Sequence, residues 1–142
     1  MRRTAVVLVT ASLLAGGCGL LTDPSPDEAR LVIEGEAGKA VRLIISTEFV
    51  AQVDENQQTR IVLIVSDTLV TTLPYQNVFR IEDDQRFFAE TARLDDDLAS
   101  VHMQVFIDQR NVFDEDGTLL ESQPYRFVYT FNQAVTRDIV IL

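Results

Sequence analysis

Apolar and polar residues alternate along most of the chain from Arg30 onwards, so the dominant period is two. This period, together with abundant Val, Ile, Phe, Tyr and Thr, is typical of β-strands. The clearest segments are Val101–Ile107 and Tyr125–Phe131, the latter with aromatic residues at alternate positions. The pattern predicts strands near residues 30–36, 40–47, 59–66, 68–73, 77–82, 85–92, 99–108, 123–131 and 136–142.

The run Ile61–Val65 is apolar at every position, which predicts a central strand covered on both faces. Turn-forming residues separate the predicted strands at 35–38, 54–56, 83–84, 95–97 and 114–117. No segment has a convincing helical period, although residues 94–99 have room for one turn. Strands and turns at this spacing predict an all-β fold, an antiparallel immunoglobulin-like β-sandwich over residues 30–142.

The beginning of the chain has the pattern of an export signal. Arg2 and Arg3 precede an apolar run from Ala5 to Ala15, which is shorter than the roughly 20 residues of a membrane-spanning helix. Small residues follow this run. A short positive region, a short apolar region and small residues in this order are typical of a cleaved secretory signal.

The signal ends in Leu14-Ala15-Gly16-Gly17-Cys18, which resembles the lipobox of bacterial lipoproteins, where small residues precede an obligatory cysteine. The resemblance implies cleavage between Gly17 and Cys18, a diacylglyceryl group on the Cys18 thiol and an acyl chain on its new amino group. Two or three acyl chains anchor a protein firmly in a membrane. Residues 1–17 are then the lipoprotein signal peptide. The alternative is an ordinary cleaved signal followed by an unmodified cysteine.

Residues 18–29 contain Pro24 and Pro26 among polar residues, which predicts a flexible tether. Cleavage removes Arg2 and Arg3 and no acidic residue, so the net charge changes from −10 to −12. Such a charge argues against nucleic acid as a partner.

In enterobacteria, an aspartate directly after the lipidated cysteine favours retention in the inner membrane, and this chain has Gly19 at that position. We therefore expect the protein to be located in the bacterial cell envelope, on the outer membrane facing the periplasm or on the cell surface.

Candidate catalytic groups are few, because the chain has one histidine and one cysteine. His102 occupies a polar position of a predicted strand, and no serine lies in a nucleophile-elbow motif. Acidic clusters occur at residues 82–84, 95–97 and 114–116. They are interpreted as solvated turns, with a calcium site as the alternative. We expect no enzyme activity, no resident metal and no cofactor beyond the lipid on Cys18.

Aromatic residues outside the predicted core offer contacts to a partner. Tyr75 follows Pro74, and Phe113 precedes an acidic turn, so both are candidates for exposed contact residues. The alternative is that each packs in the core or at its rim.

The order of several segments resembles the MmpS family, small β-sandwich periplasmic accessory proteins of mycobacterial RND-type exporters. The segments are Leu31-Val32-Ile33-Glu34-Gly35, Val41–Ser46, Leu73-Pro74-Tyr75 and Val105-Phe106-Ile107-Asp108. Tyr75 stands where that family has tryptophan, Gln109 replaces a glycine, and the family's cysteine pair is missing. The resemblance implies a non-enzymatic accessory role in a transport or envelope complex.

The sequence therefore predicts a lipid-anchored envelope protein that acts as a non-enzymatic binding or scaffolding module. Its expected partners are the membrane, through the anchor, and another envelope protein. The alternative function is a β-sandwich that binds a small ligand or calcium.

Overall fold

The computed structural model describes residues 25–81, 85–120, 123–130, 133–135 and 139–141. In these ranges the chain forms β-strands and no α-helix, which confirms the all-β prediction. The strands are β1 (Glu28–Gly35), β2 (Ala40–Val53), β3 (Thr59–Thr72), β4 (Tyr75–Arg80), β5 (Arg86–Arg93), β6 (Ala99–Ile107), β7 (Arg110–Leu119), β8 (Tyr125–Thr130), β9 (Gln133–Val135) and β10 (Ile139–Ile141). Across this part of the chain, no helix has the length and apolarity needed to span a membrane.

The strands form two sheets that pack together as a β-sandwich. The smaller sheet has the order β4-β1-β6-β7, and the larger sheet has the order β10-β3-β2-β5-β8-β9. Neighbouring strands are antiparallel, except that β10 runs parallel to β3. The β-sandwich prediction is therefore confirmed, with one parallel pair at an edge.

The main core lies between the two sheets and consists of alternate residues from their facing sides. The smaller sheet contributes Val101, Met103, Val105 and Ile107, each at most 3% exposed. The larger sheet contributes Phe87, Ala89, Phe127 and Tyr129. The alternation predicted for β6 and for residues 125–129 is thus confirmed, while Phe131 lies outside the described residues. Since side chains of a strand alternate between its faces, the intervening residues point away from this core.

A second hydrophobic core lies on the opposite face of the larger sheet. Phe88 and Val128 pair across β5 and β8, next to residues of the main core, so they point to the other side of the sheet. Both are fully buried, as are Phe49 and Ile61. The rings of Phe49 and Phe88 meet edge to face, with centroids 6.3 Å apart.

Curling of the larger sheet accounts for the second core. Strands β9 and β10 lie at opposite edges, which are about 24 Å apart in a flat sheet of this order. Yet only four residue steps separate Val135 from Ile139, and these span at most about 14 Å. The edges must therefore approach each other, so the sheet wraps around the residues of its outer face.

The apolar run Ile61–Val65 is not a central strand covered on both faces, and that prediction is wrong. Ile61 is buried, but Val62, Ile64 and Val65 are 44%, 62% and 55% exposed. The run lies in one long strand, β3, beside the edge strand β10. Leu63 pairs with Phe49, and Val65 pairs with Glu48, so Ile64 is left without a partner on β2. Such a bulge bends the strand and turns part of the run towards solvent.

Strand β7 includes residues 114–117, so the turn predicted at these positions is wrong. The turn before β7 lies at Asp108 and Gln109, whose positive φ angles of 45° and 69° fit a two-residue hairpin loop. Within the described residues β7 is an edge strand, where charged side chains reach water and an apolar alternation is not required. The predicted turns after β1, β2 and β5 are confirmed, while residues 83–84 lie outside the described part.

Hydrogen bonds hold the start of β1 at one end of the sandwich. The Asp108 Oδ1 atom accepts from the backbone N–H groups of Asp27 and Glu28, at 3.0 and 3.1 Å. The N–H of Ile81 donates to the carbonyl of Asp27 at 2.9 Å. We call this end the entry pole. At the opposite end, the far pole, Gly38 N–H donates to Leu73 O at 2.9 Å and joins the turns after β1 and β3.

Candidate functional site

A polar row crosses the outer face of the smaller sheet near the far pole. The register of β1, β6 and β7 places Glu34, His102 and Asp116 side by side. Their neighbours Val101 and Met103 point into the main core, so alternation directs this row to the outside. The sheet thus brings an imidazole and two carboxylates together from three strands.

His102 lies between two carboxylates of β7. Its Nδ1 atom is 2.9 Å from Asp116 Oδ1, and its Nε2 atom is 3.1 Å from Asp114 Oδ1. The second oxygen of Asp114 accepts from Gln104 Nε2 at 3.0 Å and from Asn111 Nδ2 at 2.8 Å. Each nitrogen of the ring therefore faces a carboxylate of β7.

An open groove of about 530 Å³ lies beside this row. It is lined by Glu34, Gly35, Ser100, Val101, His102, Asp116, Gly117 and Thr118. Gly117 is required by close packing below the groove, because a Cβ atom there would lie 2.9 Å from Tyr125 Cε2. The backbone at Gly117 therefore lies in close contact with the Tyr125 ring, at the rim of the main core.

The groove offers carboxylate and hydroxyl oxygens, which are suited to ligands or partners that donate hydrogen bonds. General base catalysis would require a ring nitrogen of His102 within reach of a hydroxyl proton. Both nitrogens are instead engaged by Asp114 and Asp116. Neither ring nitrogen is therefore open to a substrate hydroxyl in this arrangement.

Tyr125 lies on the other side of β7 and packs at the rim of the core. Its hydroxyl donates to Glu115 Oε2 at 3.3 Å, and its ring centroid is 5.9 Å from that of Phe113. Burial, followed by the charge of Glu115, raises the pKa of Tyr125 to about 12. The hydroxyl therefore stays protonated at neutral pH.

Replacing Tyr125 with phenylalanine is expected to reduce the loss of stability at alkaline pH. The unfolded chain releases this proton near pH 10, whereas the folded chain releases it near 12, so ionisation favours unfolding as the pH rises above 10. Urea denaturation at a series of pH values from 10 to 12 measures the slope of unfolding free energy against pH. Tyr75→Phe is the control, and equal slopes in both variants would contradict the assignment.

The structure places the two candidate contact residues in or against the core. Phe113 is not on a loop: it lies in β7, is 6% exposed, and its ring centroid is 5.3 Å from that of Phe127. Tyr75 begins β4, pairs with Ile33 and is half-buried against the main core. Core or rim packing therefore describes both residues. Gly17 and Cys18 lie outside the described residues.

The acidic clusters have different surroundings. Residues 95–97 form the predicted turn, where Lys39 Nζ donates to Asp95 at 2.9 Å and thereby lowers the pKa of that carboxyl. Residues 114–116 lie in β7, with Asp114 and Asp116 on the His102 side and Glu115 on the Tyr125 side. Residues 82–84 are outside the described ranges. In the described ranges, no group of three or more His, Cys, Asp or Glu residues is arranged to hold a metal ion.

The pairing of His102 with Asp114 and Asp116 was missed because residues 114–117 were interpreted as a turn. The period-two pattern of β6 correctly placed His102 on a polar strand face. Its partners, however, depend on the register of a strand that carries no apolar alternation.

A scan of protein-family models and a search of curated proteins found no match to this chain.

Proposed function

We propose that the chain is a lipid-anchored envelope protein whose β-sandwich is a non-enzymatic binding or scaffolding module. The observation that carries the proposal is Cys18, the only cysteine, which directly follows Leu14-Ala15-Gly16-Gly17 at the end of an export signal. The β-sandwich supports the role, since its loops and sheet faces offer surfaces to a partner.

The outer face of the smaller sheet supports binding as the role of the domain. Its groove is open, and Gly117 in its lining lies in close contact with the Tyr125 ring. Asp108 fixes the start of β1 at the entry pole, so the groove lies at the other end of the strand. A partner in the envelope would thus meet an acceptor-rich surface remote from the anchor.

The Cys18→Ala variant is expected to lose its lipid and leave the membrane fraction. The thiol is the acceptor of the diacylglyceryl group, and alanine offers no substitute. Incorporation of labelled palmitate and flotation of cell membranes measure the two effects. Gly17→Ala is the matched control, because it keeps a small residue before the cysteine. Palmitate labelling of Cys18→Ala at the level of the unaltered chain would refute the anchor.

In-cell crosslinking of the tagged, lipidated protein followed by mass spectrometry tests the binding role. We expect enrichment of one envelope or transport complex, and we expect its loss with Cys18→Ala. Recovery of the same proteins at the same level from both chains would count against a tethered module. That result would instead favour the binding of a small ligand as the function of the domain.

A further inference from the structure

An exposed apolar face lies on the β2–β3 hairpin. It comprises Val50, Val62, Ile64 and Val65, which are 40%, 44%, 62% and 55% exposed. Val50 and Val62 are direct cross-strand partners, and the bulge at Ile64 places two adjacent apolar residues in solvent. Isolated exposed valines need no explanation, but neighbouring ones on one strand indicate a contact surface.

This apolar face is connected to the entry pole by contacts of the fold. The guanidinium of Arg86 donates to Phe49 O at 2.6 Å, next to Val50. Arg86 follows Gln85, whose N–H donates to Ile81 O at 2.7 Å, and Ile81 N–H donates to Asp27 O at 2.9 Å. The face therefore lies at the end of the sandwich where the chain enters β1.

Two surface depressions also connect the start of β1 with the apolar face. One is lined by residues 78–80 together with Asp27 and Glu28, and the other by residues 78–80 together with residues 65–67. Val78, which borders both, is 49% exposed. The surface from the start of β1 to the apolar face is consequently continuous.

The length of chain before β1 limits how far this face can be from an anchor. Nine residue steps separate Cys18 from Asp27, and an extended chain covers at most about 32 Å over that length. A lipid on Cys18 would thus hold the face close to the bilayer at high effective concentration, where a weak apolar contact is sufficient.

The charge at the entry pole is mixed. Arg60, Arg80 and Arg110 are exposed there, together with the carboxylates of Asp27, Glu28, Glu48, Glu55 and Asp108. A zwitterionic lipid surface has no net charge, so these carboxylates do not prevent contact between the entry pole and such a surface.

We propose that the apolar face enters the headgroup region of the membrane that holds Cys18, so that the domain rests on lipid by its entry pole. This inference rests on the proposed lipid anchor. It adds a second membrane contact, made by folded protein, and it assigns an orientation. The occupant of the face is a lipid surface, and a protein occupant is a separate outcome of the test.

The test uses the full lipidated chain on phosphatidylcholine vesicles. Ile64→Cys is labelled with an environment-sensitive dye, while the thiol of Cys18 is blocked by its lipid. Leu98→Cys is the matched control, because Leu98 is 67% exposed and follows the far-pole turn at residues 95–97. We expect the emission of the dye at position 64 to shift to the blue and its quenching by iodide to fall several-fold. The dye at position 98 should remain fully quenchable.

Flotation of the protein with the vesicles tests the lipid anchor, whereas quenching of the dyes tests the membrane contact of the apolar face. If the protein floats with the vesicles while both dyes stay quenchable, the lipid contact of the apolar face is refuted and the anchor stands. If the protein does not float, the anchor fails and the inference fails with it. Protection of position 64 in native envelope membranes but not in vesicles would overturn the lipid contact in favour of a protein partner.

Discussion

Replacing Phe127 with alanine is expected to lower the free energy of unfolding by about 3–5 kcal/mol. Phe127 is fully buried, and its ring centroid lies 5.3 Å from that of Phe113 and 6.4 Å from that of Phe87. The substitution removes apolar burial and leaves a cavity between the two sheets. It also removes two aromatic contacts, each worth about 0.5–1.5 kcal/mol beyond the buried area.

Urea denaturation of the purified protein measures this effect through the shift of the midpoint at constant slope. Leu98→Ala is the control, because Leu98 is 67% exposed and its loss should change stability by no more than about 0.5 kcal/mol. A loss below about 1 kcal/mol for Phe127→Ala would mean that β8 presents its other face to the main core.

Replacing Arg126 with methionine is expected to cost about 3 kcal/mol, because it leaves a carboxylate buried without its principal partner. Glu90 is 4% exposed at its side chain, and its Oε2 atom accepts from Arg126 Nε at 2.7 Å. Arg42 Nη2 lies 3.5 Å from Oε1, but the Arg42 side chain is 46% exposed. Water screens the Arg42 contact, so Arg126 supplies most of the compensation.

Two further variants distinguish a buried charge from lost packing. Arg42→Met should cost less than about 1 kcal/mol, as is usual for exposed ion pairs. The double variant Glu90→Gln, Arg126→Met should be more stable than Arg126→Met alone, because the unpaired charge is gone. If both Arg126 variants unfold at the same urea concentration, the lost stability comes from the packing of the arginine stem.

Strands with one face in the main core were predictable from the sequence. In β6 Val101, Met103, Val105 and Ile107 are buried at alternate positions, and the residues between them are partly exposed, which is the condition under which a period of two appears. In β8 the aromatic residues Phe127 and Tyr129 also take alternate positions, although Val128 between them is buried in the second core. The β-sandwich followed from these patterns.

Strands at the periphery were not predictable in this way. In β7 the outer residues bind His102 and Gln104, and the edge position tolerates charge, so an acidic strand looked like a turn. In β3 the opposite error occurred, since continuous apolarity suggested burial on both faces. The bulge at Ile64 and the curl of the sheet depend on contacts distant in sequence, and local pattern does not encode them.

The candidate groove was predictable only in part. His102 was placed on a strand, but its neighbours Asp114 and Asp116 follow from the pairing of β6 with β7. The lipid anchor is a different case, because the proposal depends on a local motif that ends at Cys18. The residues on which the proposed export signal depends are contiguous in sequence, whereas the groove is assembled from three strands.

The position of β1 has a mechanical consequence. The chain enters the sandwich at Glu28, and β1 lies between β4 and β6 and pairs with both along its length. Hydrogen bonds in antiparallel ladders run perpendicular to the strands. A pull on the segment before Glu28, directed along β1, therefore loads two ladders in shear and distributes the force over many bonds at once. An edge strand pulled at right angles would open one bond at a time, so this point of attachment suits a domain that is held by its leading segment.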